Sequence, residues 1–224
     1  MGFVVGTRPD CLSPAVFKLW QAYHERSFVA VEIGVQSFFD KDLEFLRRGH
    51  SAKDSISAIH KIAQETNVDL GIHLIFGLPG ETSDQILQTA EIVNGLPISN
   101  VKLHNLHVLT QTPLEKLYRD GNFKPVEFED YANRVRLFLE HLRPGIAIQR
   151  LSAFAPRWDE LVAPAWTGDK MRSQQGIIDH LRSHSAYQSR CYRPKNDEEI
   201  SLQSQLQLRS VPIAVRSARS LSMI

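Results

Sequence analysis

The chain has 224 residues, 42% of them apolar, enough for one sizeable core, and 26 Lys plus Arg against 25 Asp plus Glu leave a net charge of +1. That balance removes any whole-chain electrostatic case for a polyanionic partner, and two cysteines are too few for a disulfide framework. No apolar run is long enough for a membrane span, and neither a secretory nor an Arg-rich organellar leader opens the sequence, so an intracellular, most simply cytoplasmic, chain is expected.

Taken in chain order, apolar or alternating runs predict strands at 3–7 (FVVGT), 29–36 (VAVEIGVQ), 69–77 (DLGIHLIFG), 100–109 (NVKLHNLHVL) and 145–151 (GIAIQRL). Helical patterns fill the gaps. Ser13 is placed to cap a helix with Pro14 in its first turn and Val16, Leu19, Trp20 and Tyr23 at helical spacing. Ser51 is placed to cap a second carrying Ile56, Ile59 and Ala63, and Thr82 with Gln85 has the spacing of a capping box before Ile86, Leu87, Ala90 and Val93. Two more helices are expected across 127–142 and 169–183. Strands that alternate with helices predict an α/β fold of parallel βαβ units. From about Lys195 the sequence turns rich in Ser, Gln and Arg, and 195–224 is read as a disordered or weakly helical tail, with SLQSQLQL as a candidate partner-binding segment.

Ligands of parallel α/β folds collect at the carboxyl ends of the strands, where helix N-termini offer unpaired N–H groups. The segments there are GTRPDCLSP, GVQSFFDKDLEFLRRGHS, GLPGETS and HVLTQTPLEKL, which place polar residues and glycines on one rim. Gly77 and Gly80 permit backbone conformations closed to other residues, and Pro79 stiffens the turn between them. Such a turn admits a flat ligand, but it also serves as an ordinary strand-to-helix junction.

In this order, GTRPDCL, VEIGVQS, LRRGHS, GIHLIFGLPGE and VKLHNLHVL resemble the later part of the radical S-adenosylmethionine superfamily barrel, closest to the YhcC-type branch, which is related to the Elongator catalytic-subunit group. The resemblance covers about residues 3–190. It implies an incomplete (βα)6 partial TIM-like barrel over residues 1–194 including a C-terminal extension, and enzymes that reductively cleave S-adenosylmethionine with a [4Fe–4S] cluster to abstract hydrogen from a substrate. By the spacing of coproporphyrinogen-oxidase-type relatives, it places Gln36 and Arg48 on S-adenosylmethionine, with Arg47 an adjacent competitor. Physically, a Gln amide suits ribose hydroxyls and a guanidinium suits the methionine carboxylate; the alternative for Arg48 is a surface side chain packed on the barrel. Backbone around Ile75, Phe76, Gly77 and Leu78 would border adenine. His73 stands where those relatives have an acidic residue, and is either a pocket group or a satisfied core histidine. Glu32, four residues before Gln36, would share its side of an ideal strand. Arg8 and Asp10 either pair with each other or meet ligand. His104 and His107, three apart, would face opposite sides of one strand and so make a poor metal pair, whereas Lys102 and His104 share parity.

The superfamily's Cys-x3-Cys-x2-Cys loop is absent, and Cys11 and Cys191 match no such spacing, so no metal ligand is assigned. Because the sequence opens on what resembles the third barrel strand, a fragment of a longer radical S-adenosylmethionine enzyme is expected, the alternative being a non-catalytic α/β binding or interaction protein. The substrate is open. Kinship with the Elongator group brings in tRNA by analogy only.

Overall fold

A computed structural model describes residues 2–155 and 157–194; the expected tail at 195–224 lies outside the described residues. These residues form two compact units. One comprises the chain up to Gly80 with Gly95–Leu106 and Ile146–Ala153; the other comprises Glu81–Asn94, His107–Gly145 and the described residues from Phe154 onward.

The first unit is built on a five-stranded parallel sheet. Its strands β1 (Phe3–Thr7), β2 (Val29–Gln36), β3 (Asp69–Phe76), β4 (Asn100–Asn105) and β6 (Ala147–Arg150) lie in that order. Pairing is parallel throughout, so residues opposite each other share a face: Glu32 opposes Gly71, His73 opposes Lys102, Ile75 opposes His104 and Lys102 opposes Arg150. The other parity is apolar and sealed, with Val31, Ile33, Val35, Ile72, Val101 and Leu103 fully buried. Continuous apolar runs arise because a parallel strand must satisfy a helix-covered side as well as the other. Helices α1 (Pro14–His24) and α3 (Ala52–Glu65) pack on the sheet through Phe17, Trp20, Ile59 and Ile62. Burial of each such side chain contributes about 1.5–3 kcal/mol.

The capping expectations hold in detail. Val16 N donates to Ser13 Oγ across 3.4 Å, and Ser51 and Asp54 complete a reciprocal box, Ser51 N donating to Asp54 Oδ2 at 2.8 Å and Asp54 N to Ser51 Oγ at 3.2 Å. The face that α1 buries differs from the predicted stripe: Phe17 and Trp20 turn inward, while Leu19 and Tyr23 are exposed. A six-residue helix, α2 (Asp40–Phe45), escaped sequence reading because it is too short to show a period.

In the second unit, α4 (Ser83–Asn94), α6 (Phe128–His141) and α7 (Lys170–Ser183) pack together. Thr82 and Gln85 exchange hydrogen bonds of 3.1 and 3.3 Å ahead of α4, as their spacing predicted. Trp166 stacks near Tyr131 at 5.1 Å between ring centres and donates to the carbonyl of Val126 at 3.1 Å. The predicted strand 100–109 is in fact two: β4 ends at Asn105, and Val108–Leu109 (β5) pairs antiparallel with Leu161–Ala163 (β7). A further short helix, α5 (Pro113–Arg119), is capped by Thr112. Among the described residues no helix is long and apolar enough to cross a membrane.

Candidate functional site

The rim at the carboxyl end of β2 is shaped by an irregularity. Three steps along β2, from Ile33 to Gln36, match two along β3, from Ile72 to Leu74, and Gln36 closes the strand at φ 69°. A bulge of this kind re-aims a side chain, at a cost of order 1–3 kcal/mol for a non-glycine residue in the left-handed region. It also means that Glu32 and Gln36 are not simply two alternations apart, as an ideal strand would have them.

The loop that follows returns Arg48 to the same place. Ser37 Oγ donates to the buried Asp42 carboxylate at 2.7 Å, and Asp40 Oδ1 accepts from Ala52 N at 2.8 Å, so the first turn of α2 is tied to the loops on either side. Arg47 takes φ 52°, and Arg48 N donates to Leu43 O at 2.8 Å. Arg48 Nη2 then donates to Gly34 O at 3.1 Å. Gly34 is small for a reason: a β-carbon there would lie 2.7 Å from Nε2 of Gln36 and 3.3 Å from Nη2 of Arg48. Gln36 and Arg48 therefore converge over one glycine, whereas Arg47 is exposed.

Arg48 carries the most informative electrostatics. No carboxylate lies within ion-pair distance of it among the described residues, and its Nε is buried without a hydrogen bond. Burial, with Arg8 nearby, lowers its pKa, which is the signature of a cation short of a counter-charge. Asp10 does not supply it, being held by Arg8, whose Nε donates to Oδ1 at 2.9 Å; that pairing lowers the Asp10 carboxyl to about 2. His50, its side chain sealed from solvent, sits with Nδ1 3.9 Å from Asp10 Oδ1, and burial followed by Arg48 pushes its pKa down. Sequence reading singled out neither His50 nor its burial.

At the end of β3, Gly77 has φ 87° and Gly80 φ 68°, conformations that an L side chain rarely adopts, so the GLPG turn needs both glycines. Leu78 and Phe76 are buried, and Ile75 lies half-buried on the face that carries His73.

That face is polar along the middle of the sheet. Glu32, 7% exposed, receives Nε2 of His73 at 2.8 Å and Nζ of Lys102 on its other oxygen. Burial opposes its charge, yet Lys102 and His73 outweigh that and hold the carboxyl below its usual range. For His73, burial outweighs Glu32 and the pKa falls. The His104 ring packs on His73 at 4.9 Å between centres, and Arg150 donates to His104. His73 is thus a hydrogen-bonded histidine on an accessible face rather than one packed among apolar side chains. Lys102 and His104 share a face, as parity predicted; His107 lies beyond β4. Arg150 was missed, although its place at the end of the last predicted strand was the available signal.

Neither thiol fits an iron–sulfur cluster. Such a cluster needs three thiolates on one loop, whereas Cys11 is exposed near β1, Cys191 belongs to the other unit, and both are free. Among the described residues no group of three or more His, Cys, Asp or Glu is placed to hold a metal ion.

A family model, the Radical_SAM C-terminal domain, matches residues 98–183. An uncharacterized protein of Methanocaldococcus jannaschii is 34% identical over 189 residues, which is 84% of this chain and 58% of the relative. Protein YhcC of Escherichia coli K12 is 32% identical over 195 residues, 87% of this chain and 62% of the relative. The chain therefore spans about three fifths of the curated relatives it matches. Among solved structures, archaeal Methanocaldococcus infernus Elp3 with an N-terminal deletion superposes with a TM-score of 0.67 at 20% identity, covering 83% of this chain and 42% of that one, a likeness of fold. The Radical_SAM C-terminal match over residues 98–183, together with 32% identity to protein YhcC, supports a YhcC-type member of the radical S-adenosylmethionine superfamily.

Proposed function

We propose that this chain supplies the S-adenosylmethionine-binding rim of a radical S-adenosylmethionine enzyme. The observation that carries the proposal is Arg48, a partly buried guanidinium without a carboxylate partner, set against Gln36 over a glycine that keeps the space open. An α-carboxylate would complete the fork of Arg48, the Gln36 amide suits ribose hydroxyls, and the backbone from Ile75 through Leu78 offers a border for adenine. Glu32 and His73 lie on the same polar face, deeper along the sheet.

In this superfamily the cofactor supplies a 5′-deoxyadenosyl radical that abstracts hydrogen from substrate. The cysteines of this chain do not fit the cluster, so the chain's own part is to bind and orient the nucleoside. Hydrogen abstraction by the longer relatives would need a cysteine loop that these 224 residues do not carry. The substrate stays unassigned; tRNA enters by kinship alone, and the near-neutral charge adds nothing to it.

Titration calorimetry with S-adenosylhomocysteine tests the proposal, because that ligand keeps the carboxylate, ribose and adenine and needs no cluster. Binding by the native chain, weakened in Arg48→Ala while the fold is kept, is the expected result. Equal affinity in the two proteins, or none in the native chain, would count against it.

A further inference from the structure

The polar face of the sheet holds a second arrangement with chemistry of its own. Glu32 is a buried carboxylate that accepts a hydrogen bond from the ring of His73 on the next strand, and Lys102 occupies its other oxygen. A carboxylate accepts only, so the nitrogen facing it, Nε2 of His73, carries the proton. The neutral ring then has its lone pair on Nδ1, which meets no hydrogen-bond partner among the described residues, on a side chain that is 23% exposed. This is how a carboxylate prepares a histidine to take a proton: it fixes the tautomer, sets the ring plane and stabilises the imidazolium that forms.

We propose that Glu32 and His73 form a proton-accepting dyad, with Nδ1 of His73 as the base and Glu32 as its positioning residue, acting on a ligand that presents an acidic C–H, N–H or O–H at the polar face of the sheet. In the step, the proton and Nδ1 form a bond, the electron pair of the broken bond stays on the ligand, and the positive charge is shared with Glu32. The surroundings set the base strength. Burial lowers the His73 pKa, Glu32 raises it, and Lys102 and Arg150 lower it again; the His104 ring covers one side. Arg150 Nη2 lies against the ring nitrogens of His104, which in turn packs on His73. The proposed step uses the side chains of Glu32 and His73 alone, whereas the nucleoside rim rests on Arg48 and Gln36.

Two measurements on the full chain test it. First, nitrogen NMR of histidine-labelled protein reads the tautomer: His73 should be neutral at pH 7 with the proton on Nε2, and Glu32→Gln should scramble that preference while Glu32→Asp retains part of it. Second, ring opening of a nitrobenzisoxazole, in which a base removes a C–H proton as the N–O bond breaks and the electron pair ends on the phenolate, measures base strength directly. His73→Asn should lower the rate about 100-fold or more, and the native pH profile should follow one ionisation below the ordinary histidine value. A His73 proton on Nδ1, or equal rates for native and His73→Asn protein, overturns the dyad. Loss of S-adenosylhomocysteine binding in Arg48→Ala bears on the other site alone.

Discussion

Gly34→Ala probes the convergence of Gln36 and Arg48 without removing either residue. The new β-carbon would stand 2.7 Å from Gln36 Nε2 and 3.3 Å from Arg48 Nη2, with the Thr7 carbonyl at an ordinary 3.6 Å. The two close atoms are far ends of flexible side chains, so they yield and the backbone stays. Replacing glycine inside a strand gains about 0.5–1 kcal/mol of backbone entropy, which offsets the lost hydrogen bond from Arg48 to Gly34 O, worth roughly 1.5–3 kcal/mol at most for a charged donor. Stability should therefore change by no more than about 2.5 kcal/mol. Binding should suffer more: displacing the guanidinium from a carboxylate forfeits about 1.5–3 kcal/mol, a loss of roughly 12- to 150-fold in affinity. Calorimetric titration with S-adenosylhomocysteine, alongside thermal denaturation, reads both. A protein that keeps its melting temperature and also keeps full affinity would refute the convergence.

Gly71→Ala acts on the fold instead: its β-carbon would collide with Oδ1 and stand 2.8 Å from Cγ of Asn100, a buried amide held by Ser99 and Asp69. Overpacking of about 1–3 kcal/mol, or a fall in melting temperature of roughly 3–10 °C, is expected, with partial recovery when Asn100→Ala is added; an unchanged Tm would contradict the packing. Ser51→Ala should cost about 1 kcal/mol in urea unfolding, since the capping box closes α3 from both sides. Burial holds the pKa values of His50, of His73 and of His180, a buried residue of α7, below 6.5 in the folded chain, so the unfolded chain binds more protons and stability should fall as pH drops below 6.5. Glu32, depressed from 4.5, and Asp10, lowered from 3.8 to about 2, extend the loss in the same direction at lower pH; a melting temperature that stays flat from pH 7 to pH 5.5 would refute it. Anaerobic treatment with iron and sulfide should leave the chain without a stoichiometric cluster, and one four-iron cluster per chain would show that Cys11 and Cys191 were misjudged.

Much of the architecture was legible because the relevant signals are local. Apolar runs located all five strands of the parallel sheet, and the cap residues Ser13, Ser51 and Thr82 marked their helices. Thr112 capped a helix that went unread because α5 has only seven residues and buries none of them. The strand 100–109 was overextended because an apolar run does not reveal where a chain leaves one sheet for another. Val108 keeps the pattern but pairs elsewhere, with Ala163. At the rim, Gly77 and Gly80 were legible as glycines whose backbone requires them. The role of Gly34 was not, since its meaning depends on Arg48 returning from fourteen residues away. The bulge at Gln36 likewise hid behind an ideal alternation that would have aligned it with Glu32. The ladder from Glu32 through His73 to Lys102 needs the register of three strands, which sequence spacing does not contain.

The most direct test follows the Arg48 side chain itself. Its Nε–H, buried and without a hydrogen bond in the free protein, should give a resolved NMR signal that shifts saturably as S-adenosylhomocysteine is added and barely responds to adenosine, which lacks the carboxylate. An Arg48 signal that ignores S-adenosylhomocysteine, or that moves equally with adenosine, would contradict the assignment of this rim as the S-adenosylmethionine site.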